Sequence, residues 1–126
     1  MRVLIVDDHA LMRRGVRSTV EGCDGMEVVG EASNGAEAIK QAKNLYPDLI
    51  IMDISMPVLD GLNAAEIVKK HHPETRILLF SMHNVPELIE RAKHLGLNGY
   101  VPKEEGVPSL LDAVNAVRHN QTYFPD

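Results

Sequence analysis

The stretch LIIMDISMPVLDG, residues 49–61, decides the fold of this chain. Its first residues, LIIM, are apolar without alternation, which is typical of a strand buried on both faces of a parallel sheet. The acidic residue Asp53 follows this run at once, and Asp60-Gly61 provides a turn before the next segment with helical periodicity. The stretch therefore predicts a buried strand that ends in a carboxylate and leads through a short loop into a helix.

The same unit recurs along the chain. Four other apolar runs have similar spacing: VLIV from Val3, MEVVG from Met26, ILLF from Ile77 and GYV from Gly99. After each run, apolar residues fall at helical intervals. The stripes are Met12-Val16-Val20, Ala36-Ile39-Ala42, Leu62-Ala65-Val68, Leu88-Ala92-Leu95 and Leu110-Val114-Val117. This alternation predicts an α/β fold, (βα)5, in which a doubly wound parallel five-stranded sheet carries helices on both faces.

Length and composition limit the class of protein. A chain of 126 residues with 44% apolar and 25% charged residues is ordinary for one globular domain. The net charge of −5 argues against nucleic acid as a direct ligand, because that binding needs Lys and Arg against phosphates. The same net charge is equally typical of a domain whose charge has no role other than to keep it soluble. We expect one domain over residues 1–126 in the cytoplasm, with no membrane contact, since no apolar stretch could span a bilayer.

Polar side chains follow four of the five predicted strands. Asp7 and Asp8 follow the first strand and Asp53 the third, while Ser81 ends the fourth and Lys103 follows the fifth. Because ligands of an open parallel sheet bind beyond the carboxyl ends of its strands, these groups are expected on one rim. The second strand ends in nothing distinctive, which suits a strand at the edge of the sheet.

The chemistry of this rim favours a phosphoryl group. Two carboxylates about 4 Å apart repel by about 4 kcal/mol at an effective dielectric constant near 20. A set of oxygen ligands of this kind suits Mg²⁺, although carboxylates alone are equally typical of a solvated acidic rim. The ammonium and hydroxyl groups beside them favour a site for a phosphoryl group, and an aspartate can itself be the nucleophile.

Four motifs carry a family resemblance. They are VDDH at residues 6–9, DISMPVLDG at 53–61, SMH at 81–83 and GYVPK at 99–103. In this order and on these strands they resemble the receiver domains of two-component response regulators over essentially the whole chain. The resemblance implies a flavodoxin-like strand order, 2-1-3-4-5.

The start DDHALMRRG at residues 7–15 and the finish Tyr-Phe-Pro at 123–125 resemble the NarL/FixJ group of receivers. That resemblance implies a helix-turn-helix output domain that is not present in this chain, with DNA bound only through that domain. It also implies a sensor histidine kinase as the phosphoryl donor and a homodimer that forms on phosphorylation.

The resemblance implies a role for each rim residue. Asp53 is similar to the phosphoacceptor, and Lys103 is similar to the lysine that pairs with the phosphoryl oxygens. Asp8, the Asp53 carboxylate and the backbone carbonyl of Ser55 are similar to the Mg²⁺ ligands. Asp7 is similar to the acid that reaches the metal mostly through water.

Two further pairs follow from the resemblance. Ser81 is similar to the hydroxyl that bonds the phosphoryl group, and Tyr100 to the aromatic residue that turns inward behind it. This switch would change the surface around the fourth helix, fifth strand and fifth helix. Ser55 and His83 lie at positions that tune the lifetime of the phosphoryl group in receivers, or else they are exposed loop residues with no role.

The chain departs from the family pattern at one position. Many receivers follow the site lysine with proline in a cis peptide, whereas here Glu104 follows Lys103 and Pro102 precedes it. We therefore expect a fifth loop of different shape, with trans peptide bonds on both sides.

Two alternative functions use similar residues. A haloacid-dehalogenase-type phosphatase also has a strand-end aspartate and Mg²⁺, but it needs a second aspartate at the position of Ser55. A receiver-like interaction module that is never phosphorylated usually lacks an acid or the lysine, and here all are present. We therefore expect a signalling domain that catalyses only its own phosphorylation and dephosphorylation.

Two basic features near the rim are expected to have structural roles. His9 is predicted to cap the first helix or to meet solvent rather than to bind metal. Arg13, Arg14 and Arg17 are predicted to form a solvated face of that helix rather than a docking patch.

Overall fold

Five strands and five helices alternate along the chain in the computed structural model, which describes residues 1–125. The strands are β1 (Arg2–Val6), β2 (Glu27–Ala32), β3 (Leu49–Met52), β4 (Arg76–Ser81) and β5 (Gly99–Pro102). The helices are α1 (Ala10–Glu21), α2 (Gly35–Leu45), α3 (Gly61–His71), α4 (Pro86–His94) and α5 (Gly106–Arg118). A short 3-10 helix, Lys103–Glu105, joins β5 to α5. All peptide bonds in residues 1–125 are trans, as expected around Pro102.

The sheet is parallel throughout, and its order is β2-β1-β3-β4-β5, which confirms the predicted topology. Val6 pairs with Ala32 on one side and with Met52 on the other, and Met52 pairs with Leu79. The carboxyl ends of β1, β2 and β3 are therefore level, and β4 extends two residues further. The chain order reverses between β1 and β3, so a ligand crevice is expected at the tips of these two strands.

Alternate strand residues fill two separate apolar layers. Leu4 and Ile50 belong to the layer under α2, α3 and α4, whereas Ile5 and Ile51 belong to the layer under α1 and α5. All four of these side chains are buried. A strand that contributes to both layers needs apolar residues at every position, which is why LIIM shows no alternation.

The apolar stripe predicted for α2, Ala36-Ile39-Ala42, is wrong at its first residue. Ala36 is exposed, and the buried residues are instead Gly35, Ala38 and Ala42. The Gly35 N–H donates to the Leu59 carbonyl at 3.0 Å, and a Cβ on Gly35 would lie 2.2 Å from that oxygen. This close backbone contact fixes the rotation of a helix whose small residues define its apolar face only weakly.

The segment after α5 lies along the outer edge of β5. The Tyr100 N–H donates to the Tyr123 carbonyl at 2.8 Å, and the Tyr123 N–H donates to the Asn98 carbonyl at 3.0 Å. Tyr123 packs on the α1/α5 layer, while Phe124 packs on the opposite layer. The tail therefore covers part of a sheet edge that would otherwise expose unpaired backbone groups.

The α-helices of residues 1–125 are 9 to 13 residues long. None of them combines the length and the apolar character needed to cross a bilayer.

Gly61 is expected to tolerate no side chain, because a Cβ there would lie 2.0 Å from the backbone oxygen of Asp53. The Gly61→Ala substitution must move the loop between β3 and α3, and we expect it to destabilise the fold by about 2 kcal/mol or more. Gly15, within α1, has nothing within 4 Å of the same added atom. Gly15→Ala is therefore expected to stabilise the fold by about 0.5–1 kcal/mol.

Urea unfolding followed by circular dichroism measures both changes. Equal free energies of unfolding for the two alanine variants would contradict this account of the loop.

Candidate functional site

Three acids meet beyond the tips of β1 and β3. The Asp53 N–H donates to the Val6 carbonyl at 2.9 Å and the Asp7 N–H to the Ala32 carbonyl at 3.1 Å, so hydrogen bonds hold the strand tips side by side. One potential ligand atom from each of the residues Asp7, Asp8, His9 and Asp53 lies within 4.8 Å of the others. The structure thus brings together the carboxylates that the sequence places on one rim.

Lys103 reaches this acid cluster from the end of β5, the strand at one edge of the sheet. Its Nζ lies 2.7 Å from Asp7 Oδ2 and 3.4 Å from Asp53 Oδ2, and all three side chains are only 4% exposed. The same Nζ lies 5.8 Å from the centre of the Phe80 ring. One ammonium group therefore faces two buried carboxylates and leaves the site with an excess of negative charge.

The electrostatics of Asp53 follow from this arrangement. Burial raises the pKa of the Asp53 carboxyl, and the negative charge of Asp7 adds to the rise. The Lys103 ammonium and the N–H of Ile54, which donates to Asp53 Oδ1 at 2.8 Å, oppose it. The net result is a raised pKa, so the ionised form of Asp53 is less favourable than that of an exposed aspartate.

Asp8 supplies an oxygen that the protein itself leaves without a hydrogen bond. Its Oδ1 is buried and accepts none from residues 1–125. His9 Nδ1 is 3.0 Å away but lacks the alignment of a hydrogen bond. A buried, unpartnered carboxylate oxygen beside two further carboxylates is suited to a hard cation, and the donor set fits Mg²⁺.

His9 lies closer to the acids than predicted. It precedes α1 but its side chain makes no capping hydrogen bond, so of the two predicted roles the cap is wrong and the contact with solvent agrees with the structure. Its Nδ1 lies 3.3 Å from Asp7 Oδ1, while 72% of its side chain is exposed. The ring therefore lies at the mouth of the acid cluster, as its position directly after the acid pair in the sequence could have suggested.

The two predicted switch residues both hold the backbone of His83. Ser81 is fully buried at the tip of β4, and its Oγ accepts a hydrogen bond from the His83 N–H at 3.1 Å. The phenol of Tyr100, also fully buried, donates to the His83 carbonyl at 2.7 Å. Burial raises the pKa of the Tyr100 phenol, and the negative charge of Asp53 adds to this rise. The Tyr100 side chain therefore lies inside the protein, with its hydroxyl against the β4–α4 loop.

Ser55 and His83 contact each other across the mouth of the site. The Ser55 hydroxyl and His83 Nε2 form a hydrogen bond that joins the β3–α3 loop to the β4–α4 loop. Ser55 also lines a pocket that includes Asp8 and Met56. Two exposed residues that the sequence singles out separately therefore act as one pair.

The basic residues of α1 are not simply solvated. Arg13 and Arg17 both form ion pairs with Glu31 on β2, while their side chains stay 21% and 41% exposed. These pairs lower the pKa of Glu31, with the Arg17 hydrogen bond as the largest cause. Arg14 is exposed as expected.

Comparison with known proteins agrees with this geometry. The response regulator receiver domain family matches residues 3–115. Response regulator GacA of Pseudomonas viridiflava is 34% identical over 124 residues, which are 98% of this chain and 58% of that protein. The chain therefore spans little more than half the length of this curated relative.

Solved structures give the same result. A two-component response regulator of the LuxR family from Aurantimonas sp. SI85-9A1 superposes with a TM-score of 0.92 at 31% identity, over 97% of this chain and 87% of that chain. The signal receiver domain of NarL from Mycobacterium tuberculosis superposes with a TM-score of 0.88 at 33% identity, over 95% and 97%. These similarities agree with the group suggested by the first and last motifs of the sequence.

Replacing Asp53 by asparagine is expected to stabilise the metal-free fold at neutral pH. Because the pKa of Asp53 is raised, the native state binds its proton more tightly than the unfolded chain does. The ionised carboxylate therefore destabilises the fold at neutral pH, and this penalty is lost as the pH falls through the native pKa. The stability difference between Asp53→Asn and the wild type should be largest at neutral pH and should close below about pH 4.

Urea unfolding in EDTA at several pH values measures this difference. Asp112→Asn, on the exposed face of α5, controls for the loss of one negative charge. An Asp53→Asn variant no more stable than the wild type at neutral pH would show that the site does not strain this carboxylate.

Proposed function

This chain belongs to the response regulator receiver domain family, and on that premise we propose that it is a switch in which Asp53 accepts a phosphoryl group. The observation that carries the proposal is the buried ammonium of Lys103 between Asp7 and Asp53. A lysine held at this position can neutralise the charge of a phosphoryl group on Asp53.

The acid cluster would hold Mg²⁺. Asp8, Asp53 and the backbone carbonyl of Ser55 are the proposed ligands, with Asp7 acting mostly through a water molecule. The unpartnered Asp8 oxygen supports this assignment. A bound magnesium ion supplies positive charge that reduces the repulsion between a carboxylate and an incoming phosphoryl group.

The proposed donor is a phosphohistidine of a sensor kinase. A carboxylate oxygen of Asp53 attacks the phosphorus, an O–P bond forms, and the P–N bond to the histidine breaks. The imidazole leaves with the electron pair of that bond and takes up a proton. Lys103 now pairs with Asp7 at 2.7 Å. Its ammonium group would also pair with the new phosphoryl oxygens and neutralise part of their charge.

The phosphoryl group would change the β4–α4 loop through Ser81. Its Oγ now accepts from the His83 N–H, and it can instead donate to a phosphoryl oxygen. The phenol of Tyr100 holds the carbonyl of the same residue, so the position of Tyr100 and that of the loop are coupled. The surface formed by α4, β5 and α5 is the proposed output.

An apolar patch beside the site suits a protein partner. Leu11 and Met82 are 78% and 74% exposed, and with Met12 they line one pocket next to Lys103 and His9. Exposed apolar residues around a reactive site favour docking of another protein, here the kinase. Because GacA is longer than this chain, we propose that a helix-turn-helix domain and a phosphorylation-dependent homodimer complete a transcriptional regulator.

Incubation with acetyl phosphate and Mg²⁺ should add the mass of one phosphoryl group to the wild-type chain. Asp53→Asn should remain unmodified, and Lys103→Ala should react about 100-fold more slowly, because one charged contact to the transferred group is lost. Intact-mass spectrometry measures all three, with Asp112→Asn as the matched control and EDTA as the metal-free control. A wild-type chain that stays unmodified with donor and Mg²⁺ in excess rules out the proposed function.

The hydrogen bond between Ser55 and His83 is expected to lengthen the life of the phosphoryl group by keeping water from the site. Ser55→Ala and His83→Ala should each speed dephosphorylation about two- to tenfold, the rate equivalent of one hydrogen bond. The double variant should be no faster than either single one, because both remove the same contact.

Asn84→Ala is the control, since this neighbouring side chain bonds Glu104 instead. Loss of phosphoryl group over time, followed by intact mass, gives the rates. Unchanged rates in both single variants would leave these residues as plain loop residues.

A further inference from the structure

Arg13 connects helix α1 to the backbone of the acid pair. Its Nη1 donates to the carbonyl oxygen of Asp7 at 2.6 Å, and its Nε donates to Glu31 Oε1 at 3.2 Å. Only 21% of the Arg13 side chain is exposed. One planar guanidinium group therefore spans from β2 to the peptide group that joins Asp7 to Asp8.

That peptide group lies just beyond the end of the sheet. Val6 is the last residue of β1, and its carbonyl accepts from the Asp53 N–H. In residues 1–125 no backbone N–H donates to the Asp7 carbonyl. The guanidinium of Arg13 thus donates to the Asp7 carbonyl the hydrogen bond that the Asp53 N–H donates to the Val6 carbonyl.

The orientation of this peptide determines where both acids point. The Asp7 N–H is held by the Ala32 carbonyl, and Asp7 Oδ1 accepts from the His9 N–H at 2.9 Å. The link between Asp7 and Asp8 is fixed only when the carbonyl between them is held as well. Asp8 presents the unpartnered oxygen of the cluster, so its direction matters most for a cation.

We infer that Arg13 is a positioning residue for the proposed magnesium site, which it serves by holding the Asp7–Asp8 peptide. The inference rests on the proposed function, because it concerns the same acid cluster. Within residues 1–125, Arg13 has no hydrogen bond to the carboxylates of Asp7, Asp8 or Asp53, so it would act only through the backbone of its neighbours.

Arg17 provides a matched comparison within the same helix. Its Nη1 donates to Glu31 Oε2 at 2.6 Å, and its Nε donates to Glu21 Oε2 at 3.4 Å. It therefore shares with Arg13 its charge, its helix and its partner on β2. Within residues 1–125 it has no hydrogen bond to the backbone of the acid pair.

Charge and positioning predict opposite results for the removal of Arg13. A positive charge near the site repels a divalent cation, so its loss by itself would tighten Mg²⁺ binding. Loss of a group that orients metal ligands instead weakens binding, typically by 10- to 100-fold. The sign of the change therefore separates the two effects.

Titration of the isotope-labelled chain with MgCl₂, followed by amide chemical shifts, gives the affinity and reports at once whether each variant is folded. Arg13→Gln is expected to bind Mg²⁺ about tenfold more weakly than the wild type. Arg13→Lys keeps the charge but cannot span both partners, so it should also bind more weakly. Arg17→Gln should stay within about twofold of the wild type, since its charge is further out and screened by salt.

The outcomes are distinct. If the wild type shows no Mg²⁺-dependent shifts, the proposed function fails and this inference fails with it. If the wild type binds but Arg13→Gln binds as tightly or more tightly, or Arg17→Gln loses as much affinity, only the positioning role is overturned. If Arg13→Gln is unfolded, Arg13→Lys decides in the same way.

Discussion

A buried ammonium shared by two carboxylates is the contact on which the rest of this site depends. Lys103 and Asp7 are 96 residues apart in the chain, and they meet because β1 and β5 run parallel and both end at the same edge of the sheet. Groups of this charge are unfavourable away from water unless they are paired. The two apolar layers hold the strands in place, and the packing of the sheet therefore offsets the desolvation of the charges. One lysine does not balance Asp7, Asp8 and Asp53, and the remaining negative charge makes the rim suitable for a cation.

The backbone fixes Asp53 as firmly as its ionic partners do. The Gly61 N–H donates to the Ile54 carbonyl at 2.8 Å, and the first turn of α3 lies against the oxygen of Asp53 itself. Asp60 caps the same helix by accepting from the Asn63 N–H at 2.9 Å. A shift of the Asp53 backbone would therefore require a shift of α3. By contrast, the β4–α4 loop is held by one hydrogen bond that Ser81 accepts and one that Tyr100 donates, and these can be exchanged without moving a helix start.

The sequence alone predicts the parts of the molecule that depend on burial and strand order. The unbroken apolar run LIIM predicted a strand between two layers, and acids at strand tips predicted the cluster around Asp53. It was insufficient where backbone groups or small side chains decide the packing. The rotation of α2 depends on Gly35 against the Leu59 carbonyl, and the tail pairs with β5 through main-chain hydrogen bonds that any residue can make. The contact between Ser55 and His83 depends on the shapes of two loops, which no periodicity encodes.

In the proposed switch, each group that would bind the phosphoryl oxygens already has a partner inside the protein. Lys103 pairs with Asp7, and the Ser81 hydroxyl accepts from the His83 N–H. Replacing one such hydrogen bond by another changes the free energy by only about 1 kcal/mol, so the two arrangements of the loop are close in energy. The bias must then come from charge, since a phosphoryl group adds roughly two negative charges next to the ammonium.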